Sequence, residues 1–335
     1  MDQPEPERAR KRLSRRAKRR IVIYLSLVFA FYIYMCFFLA WNTVKPKNFK
    51  HTSNPMQKMG IVFQDVSFVS KDSTPIKGWL IPAPEKTASG VVILCHGVDG
   101  NRQSMMHEVS ILNKANFTTI AFDFRGRGES GNALCTIGYR EVEDLLAVVN
   151  FAKSWPETRD LPLGVFGHSL GGAVAIMATA RDSRIEAVAA ESPFASLDHA
   201  INNHFQSVMG WGAVFFALPV RVIGEMIIHQ SASNIAPINE IAKIAPRPVM
   251  LIEDELDTLC PPAETEALLR AAGDPKSMWH VPGAGHIQAG DVASAEFEKM
   301  WELRQSNYLR HSPFFPKHTD YKQCPACRDC ALLSS

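Results

Sequence analysis

Three residues of this chain have the types and spacing to do chemistry together: Ser169, Asp257 and His286. The serine sits in Gly167-His168-Ser169-Leu170-Gly171, after an apolar run that reads as a strand and before Ala173, Val174, Ala175 and Ile176, which read as a helix. Gly-x-Ser-x-Gly in that context is the signature of a nucleophile elbow, a tight turn that exposes a hydroxyl. The glycines have a steric reason, since side chains two positions either side of the serine would strike neighbouring backbone. The N-terminus of the following helix also favours negative charge at that hydroxyl.

A serine hydroxyl needs a base, and the base needs a carboxylate to fix its tautomer and stabilise its cationic form. Among eleven histidines, His286 is the candidate base, because it follows a final strand in the loop Pro282-Gly283-Ala284-Gly285-His286. The candidate acid is Asp257 in Glu253-Asp254-Glu255-Leu256-Asp257-Thr258. Asp254 and Glu255 compete with it, and Asp257 is preferred as the residue deeper in the loop, just ahead of Cys260-Pro261-Pro262. The oxyanion of an acyl-transfer intermediate needs two backbone donors. Leu170, after the serine, supplies one, and Val98 in the loop His96-Gly97-Val98 supplies the other. His168 reads as a packing residue and His96 as a loop organiser. Chemistry of this kind requires neither a metal nor an organic cofactor.

These residues must be held by strands and helices in alternation. Strands are predicted at 61–69, 76–81, 91–95, 118–124, 163–167, 185–190, 249–252 and 277–281. Helices are predicted at 102–115, 141–154, after Ser169, at 263–272 and at 292–311. Such alternation implies a mostly parallel sheet with helices on both faces. One stretch breaks it: about residues 192–245 are longer than a crossover needs and strongly apolar around Trp211 to Leu218. Pro219, Arg221 and Glu225 argue against a second membrane span there, so a small helical cap is expected. The cap either covers the core, or it walls an acyl-binding pocket or touches the bilayer.

The chain resembles an α/β hydrolase of the serine-aminopeptidase and monoacylglycerol-lipase-like branch. The resemblance rests on His96-Gly97, Asp123-Phe124-Arg125-Gly126-Arg127-Gly128-Glu129-Ser130-Gly131, Gly167-His168-Ser169-Leu170-Gly171-Gly172, Glu191-Ser192-Pro193-Phe194, Asp257 and Gly283-Ala284-Gly285-His286. It covers about residues 60–305. It implies the α/β-hydrolase fold, hydrolysis through an acyl-enzyme, and structural roles for Asp123 and Arg125. Many relatives carry His-Gly after the seventh strand, where this chain has Glu253-Asp254.

Length and charge set the rest. A chain of 335 residues, 46% hydrophobic, can hold one large α/β domain or two small ones. Its net charge of +2 hides an asymmetry, for the first 20 residues carry nine Lys/Arg against three acids. The remaining body is mildly acidic, which argues against nucleic acid as a partner. Residues 21–41 carry no charge and are long enough to cross a bilayer. The run is longer than a signal-peptide core and lacks a small-x-small cleavage site, so it is expected to be an uncleaved signal anchor. The positive charge before it places the N-terminus in the cytoplasm and the catalytic body on the far side.

The expected organisation is a basic tail (1–20), a transmembrane helix (21–41), a polar tether (42–60), the hydrolase domain (61–311) and a cysteine-containing tail (312–335). In that tail His318, Cys324, Cys327 and Cys330 are weak metal candidates, since Cys-x2-Cys-x2-Cys fits no zinc spacing well and a disulfide is preferred. The expected activity is hydrolysis of a carboxylic ester or related acyl compound, small or lipid-like. The alternatives are a thioesterase, amidase or peptidase with the same triad, or a silent membrane-tethered binding module.

Overall fold

The continuous apolar run Val91–Cys95 is a central strand of an eight-stranded sheet, with every residue buried. The computed structural model describes residues 14–45 and 47–302. The strands are β1 (Gln64–Val69), β2 (Pro75–Ile81), β3 (Val91–Cys95), β4 (Thr118–Asp123), β5 (Leu163–His168), β6 (Ala187–Glu191), β7 (Val249–Asp254) and β8 (Lys276–Val281). Their order is β1-β2-β4-β3-β5-β6-β7-β8. β1 and β2 pair antiparallel, as do β2 and β4, and the remaining pairs are parallel.

Successive strand residues point to opposite faces, so each apolar run feeds two cores. Ile93 and Val165 pack with Val142 and Leu145 of α4 (Glu141–Ser154), with α5 (Leu170–Arg181) and with Leu268 of α8 (Pro262–Ala271). Val92, Leu94 and Phe166 pack on the other face with Val109 and Leu112 of α3 (Met106–Lys114), with Ala289 of α9 (Ala289–Val292) and with Phe297 of α10 (Ser294–Glu302). The layers are those of the α/β-hydrolase fold expected from the sequence. The helix predicted at 292–311 is described only to Glu302, and the candidate ligands His318, Cys324, Cys327 and Cys330 lie outside the described residues.

Two elements stand off this sandwich. The N-terminal helix α1 (Arg15–Val44) is 30 residues and contains an 18-residue stretch with a mean hydropathy of 2.3, long and apolar enough to cross a membrane. The cap between β6 and β7 is a hairpin of α6 (Leu197–Met209) and α7 (Ala213–Ile228), followed by three short 3-10 turns. The buried residues of α1 are Cys36, Ala40 and Val44, spaced one turn apart, and Cys36 and Ala40 pack with Ala213, Ala217 and Val220 of α7. Small residues on both helices let the backbones approach closely. Pro219, inside α7, has no N–H to give the carbonyl of Phe215 four residues earlier. The hydroxyl of Tyr32 on α1 donates to that carbonyl instead.

Residues 42–60, read as a tether, begin with the last turn of α1, and the strap after it is hydrogen-bonded along the body. Val44 O accepts from Cys135 N (2.8 Å). Asn48 Nδ2 donates to Gly128 O (3.0 Å), Asn101 Nδ2 donates to Phe49 O (2.9 Å), and Thr52 N donates to Gln103 Oε1 (2.7 Å). The short helix α2 (Pro55–Met59) ends the strap, with a capping box between Asn54 and Gln57.

Candidate active site

Ser169 occupies the single residue between β5 and α5, and its backbone is forced to φ +52°. Few non-glycine residues adopt that region, and those that do gather where function requires them. The turn is closed by Ser169 N donating to Glu191 O (2.8 Å) and Ala173 N donating to Ser169 O (3.0 Å). Both glycines of the elbow are sterically required. A Cβ on Gly167 would lie 2.3 Å from the Gly171 backbone, and one on Gly171 would lie 2.2 Å from Cys95 O.

The loops after β7 and β8 converge on this serine. Ser169 Oγ lies 3.0 Å from His286 Nε2, and His286 Nδ1 donates to Asp257 Oδ2 (2.6 Å). Asp257 is buried, and its other oxygen accepts from Leu259 N (2.8 Å) and Cys260 N (2.9 Å). Those two bonds hold the carboxylate toward the imidazole. Asp254, the rival acid, points elsewhere and accepts from Ser192 Oγ (2.6 Å). Burial, and then the charge of Glu191, push the Asp254 carboxyl up to about 7. Glu253, the other half of the unusual pair, faces β8 and meets His280 Nδ1 at 2.7 Å. The extra charges after the seventh strand are thus absorbed locally, and Asp257 is the acid that reaches His286.

Gly97 brings the β3 loop against the nucleophile, for a Cβ there would lie 3.7 Å from Ser169 Cβ. Val98 and Leu170, the expected oxyanion donors, both line the cavity in front of Ser169. His96 organises that loop as expected: Nδ1 donates to Gly97 O (2.7 Å), and Nε2 accepts from Phe124 N (3.0 Å). Burial holds its pKa down at about 4, so it stays neutral in that role. Asp123 and Arg125 are also structural. Asp123 accepts from Arg102 N and Glu129 N, and Arg125 bridges Asp144 and Asp72.

His168 does more than pack. Its Nε2 lies 3.4 Å from Glu108 and 3.2 Å from Glu191, all three side chains being buried. Burial alone would lower its pKa, but the two carboxylates outweigh that and hold it at about 10. A buried imidazolium therefore lies directly behind the nucleophile. Glu191 Oε1 also accepts from Ala289 N (3.0 Å), which ties the cluster to the segment carrying His286. The sequence contained one signal for this, the Glu191-Ser192-Pro193 motif, but nothing marked Glu108.

Asp257, Cys260 and His286 hold their donor atoms within 4.8 Å of one another, a spacing that could suit a metal. The Asp257–His286 hydrogen bond leaves no room for an ion between those two ligands, and burial raises the Cys260 thiol well above its ordinary value, keeping it protonated. The arrangement suits proton transfer to and from Ser169.

In front of the serine lies a cavity of about 750 Å³, walled by the β3 loop, both cap helices and the last turn of α1. Pockets of this size accept small organic ligands, and apolar walls with a few polar groups fix their orientation.

Comparison with known proteins agrees with the fold. The family described as "Serine aminopeptidase, S33" matches residues 86–235. The uncharacterized protein YfhR of Escherichia coli K12 is 31% identical over 239 residues, covering 68% of this chain and 77% of its own. YfhR of Salmonella typhi is 27% identical over 312 residues, covering 87% and 96%. Among solved structures, the esterase Pf2001 of Pyrococcus furiosus superposes with a TM-score of 0.65 at 25% identity, covering 77% of this chain and 95% of the esterase. The acylaminoacyl peptidase of Pyrococcus horikoshii shares the fold at 17% identity and a TM-score of 0.57, with 74% of this chain aligned to 41% of that protein. By these matches and its sheet topology, the chain belongs to the α/β hydrolase superfamily, as a relative of YfhR.

Proposed function

We propose that the protein is a serine hydrolase that cleaves carboxylic esters through an acyl-enzyme, with Ser169 as nucleophile, His286 as base and Asp257 as its orienting acid. The observation that carries this is the relay Asp257–His286–Ser169, at 2.6 and 3.0 Å, opening on the 750 Å³ cavity. Ser169 Oγ attacks the ester carbonyl while His286 Nε2 takes its proton. The oxyanion forms against the Val98 and Leu170 amides, and His286 returns the proton to the departing alcohol. Water then repeats the sequence on the acyl-serine. Apolar walls built from Val98, Ile137, Leu197 and Ile201 support esters with apolar acyl groups over charged peptides.

A fluorophosphonate probe should label Ser169 in the parent and leave Ser169→Ala unlabelled. Removing the nucleophile should cost about 10⁴–10⁶ in turnover of an activated ester. Equal labelling of both forms would refute the assignment.

We further read α1 as a signal anchor, with the basic N-terminus cytoplasmic and the hydrolase body on the far side. The excess of Lys/Arg before the apolar run supports this orientation. Protease added outside intact cells, or to spheroplasts, should digest the body. Digestion only after the membrane is opened would reverse the topology.

A further inference from the structure

We propose that α7 lies in the same lipid leaflet as the outer half of α1, and that the acyl cavity fills sideways from that leaflet with a long-chain lipid ester. The proposal rests on the serine-hydrolase reading for its chemistry and on α1 spanning the bilayer for its location. It names what that reading leaves open, the substrate class and its route.

The first observation is an apolar helix face with no protein on it. Trp211, just ahead of α7, and Val214, Phe215, Leu218, Val222 and Met226 within it recur at three- and four-residue spacing, and each is at least 42% exposed. Contiguous exposed apolar surface of this kind marks an interaction site. The outward side of α6, by contrast, presents His199, Asn202 and Gln206. Arg221 and Glu225, at the edge of the apolar face, are both engaged. Arg221 donates to Asp198 (2.7 Å), and Glu225 accepts from Ala232 N (2.8 Å).

The second observation is continuity with the anchor. α7 runs parallel to α1, since its first turn meets Tyr32 while the later Val220 and Gly224 share the cavity wall with the later Ala40 and Val44. From Tyr32 to Trp41 is nine residues, or about 14 Å of helix. The start of α7 therefore sits well inside the apolar run of α1, whose other sides expose Phe29, Phe31, Tyr34, Phe37 and Phe38. A surface continuous with these side chains has lipid as its partner. The Tyr32 hydroxyl fits that setting. In a bilayer, backbone carbonyls must be satisfied within the protein, and Phe215 O, orphaned by Pro219, is the one that needs help.

The third observation fixes the route. Ala40, Thr43 and Val44 of the anchor are part of the wall of the cavity that reaches Ser169. The strap after α1 is bonded to the body at Cys135, Gly128 and Gln103, so the cavity cannot swing away from the membrane. A lipid whose tail lies beside α1 meets the cavity without crossing water.

The test uses the full chain in phosphatidylcholine vesicles, with water-soluble 4-nitrophenyl acetate and vesicle-borne 4-nitrophenyl palmitate as substrates. The double variant Leu218→Lys and Met226→Lys changes exposed residues outside the cavity. It should lose at least tenfold on the palmitate and stay within twofold on the acetate. Independently, nitroxide-labelled phosphatidylcholine should quench parent fluorescence more than that of Trp211→Phe. Equal losses on both substrates, no loss on either, or no quenching at Trp211 would each overturn the proposal. A dimer dissolved by the lysines, without quenching, would assign the α7 face to a second copy instead. If the parent fails to hydrolyse the acetate, the hydrolase reading and the substrate half of the proposal fall together, while the quenching still decides where α7 lies.

Discussion

The two walls of the cavity are built on opposite principles. The sheet-edge wall, from Ser169 to His286, is polar and held by directed hydrogen bonds and close charge contacts. Its serine is forced to φ +52°, its acid accepts three hydrogen bonds, and a cationic His168 is held between two carboxylates. The cap-and-anchor wall is apolar, built on small residues, and exposed on its outer face. Polar groups in a low-dielectric interior demand partners at fixed distances, and so produce one geometry. Apolar helices packed through Ala and Cys demand only volume. The first wall can position a reaction, and the second can choose what fits.

The largest test of this contrast lies in the acid. Asp257→Asn should lower turnover by about 10⁴, because asparagine keeps the shape but cannot stabilise the imidazolium and can select the wrong tautomer. Asp254→Asn should retain most activity, since its neighbour is Ser192 rather than His286. Turnover of both purified variants on one activated ester decides this, with circular dichroism as a folding check. A dead Asp254 variant beside an active Asp257 variant would break the assignment.

A second test probes the pairing behind the nucleophile. His168→Gln leaves Glu108 and Glu191 buried without a cation, and removing one partner of a buried ionic group costs about 3–5 kcal/mol. His168 is held at about 10 in the fold, against about 6.5 in an unfolded chain. Its stabilisation is therefore complete below pH 6.5 and lost as pH rises toward 10. Denaturant midpoints should separate parent and variant widely at pH 6 and much less at pH 10. A constant gap across that range would mean the imidazole is neutral.

The smallest effect belongs to the other wall. Gly224 lines the cavity, and a Cβ built on it meets nothing within 4 Å. Gly224→Leu should therefore fold normally and occupy acyl space. Esters of graded chain length should show kcat/KM falling about tenfold for long acyl groups, a change of the order one or two methylenes make in an apolar pocket, and little for acetate. An unchanged chain-length profile would place the acyl group elsewhere.

The same contrast explains what could be read from the sequence. The elbow was legible because its glycines answer a local backbone constraint, and the strands were legible because burial on two faces requires apolar runs. Asp257 was legible through its place in the loop. The charge on His168 was not, because Glu108 comes from α3, sixty residues away, and Gly-His-Ser looks the same with a neutral histidine. The strap at 47–54 read as a tether because its polar residues are those of a linker. Its partners at Gly128, Asn101 and Gln103 are remote in sequence. The face of α7 was illegible for a third reason, since an apolar helix has the same pattern whether it meets protein or lipid.

Cys260 carries a practical corollary. Its sulfur shares a 4.8 Å neighbourhood with the relay, yet burial and the nearby Asp257 and Glu264 carboxylates keep the thiol protonated. The thiolate is the reactive form of cysteine, so this sulfur does not compete with the serine for electrophiles at neutral pH. Alkylating reagents that report on exposed thiols pass it by. If Ser169 is the nucleophile, as proposed, a fluorophosphonate that modifies it should accordingly leave the neighbouring Cys260 untouched.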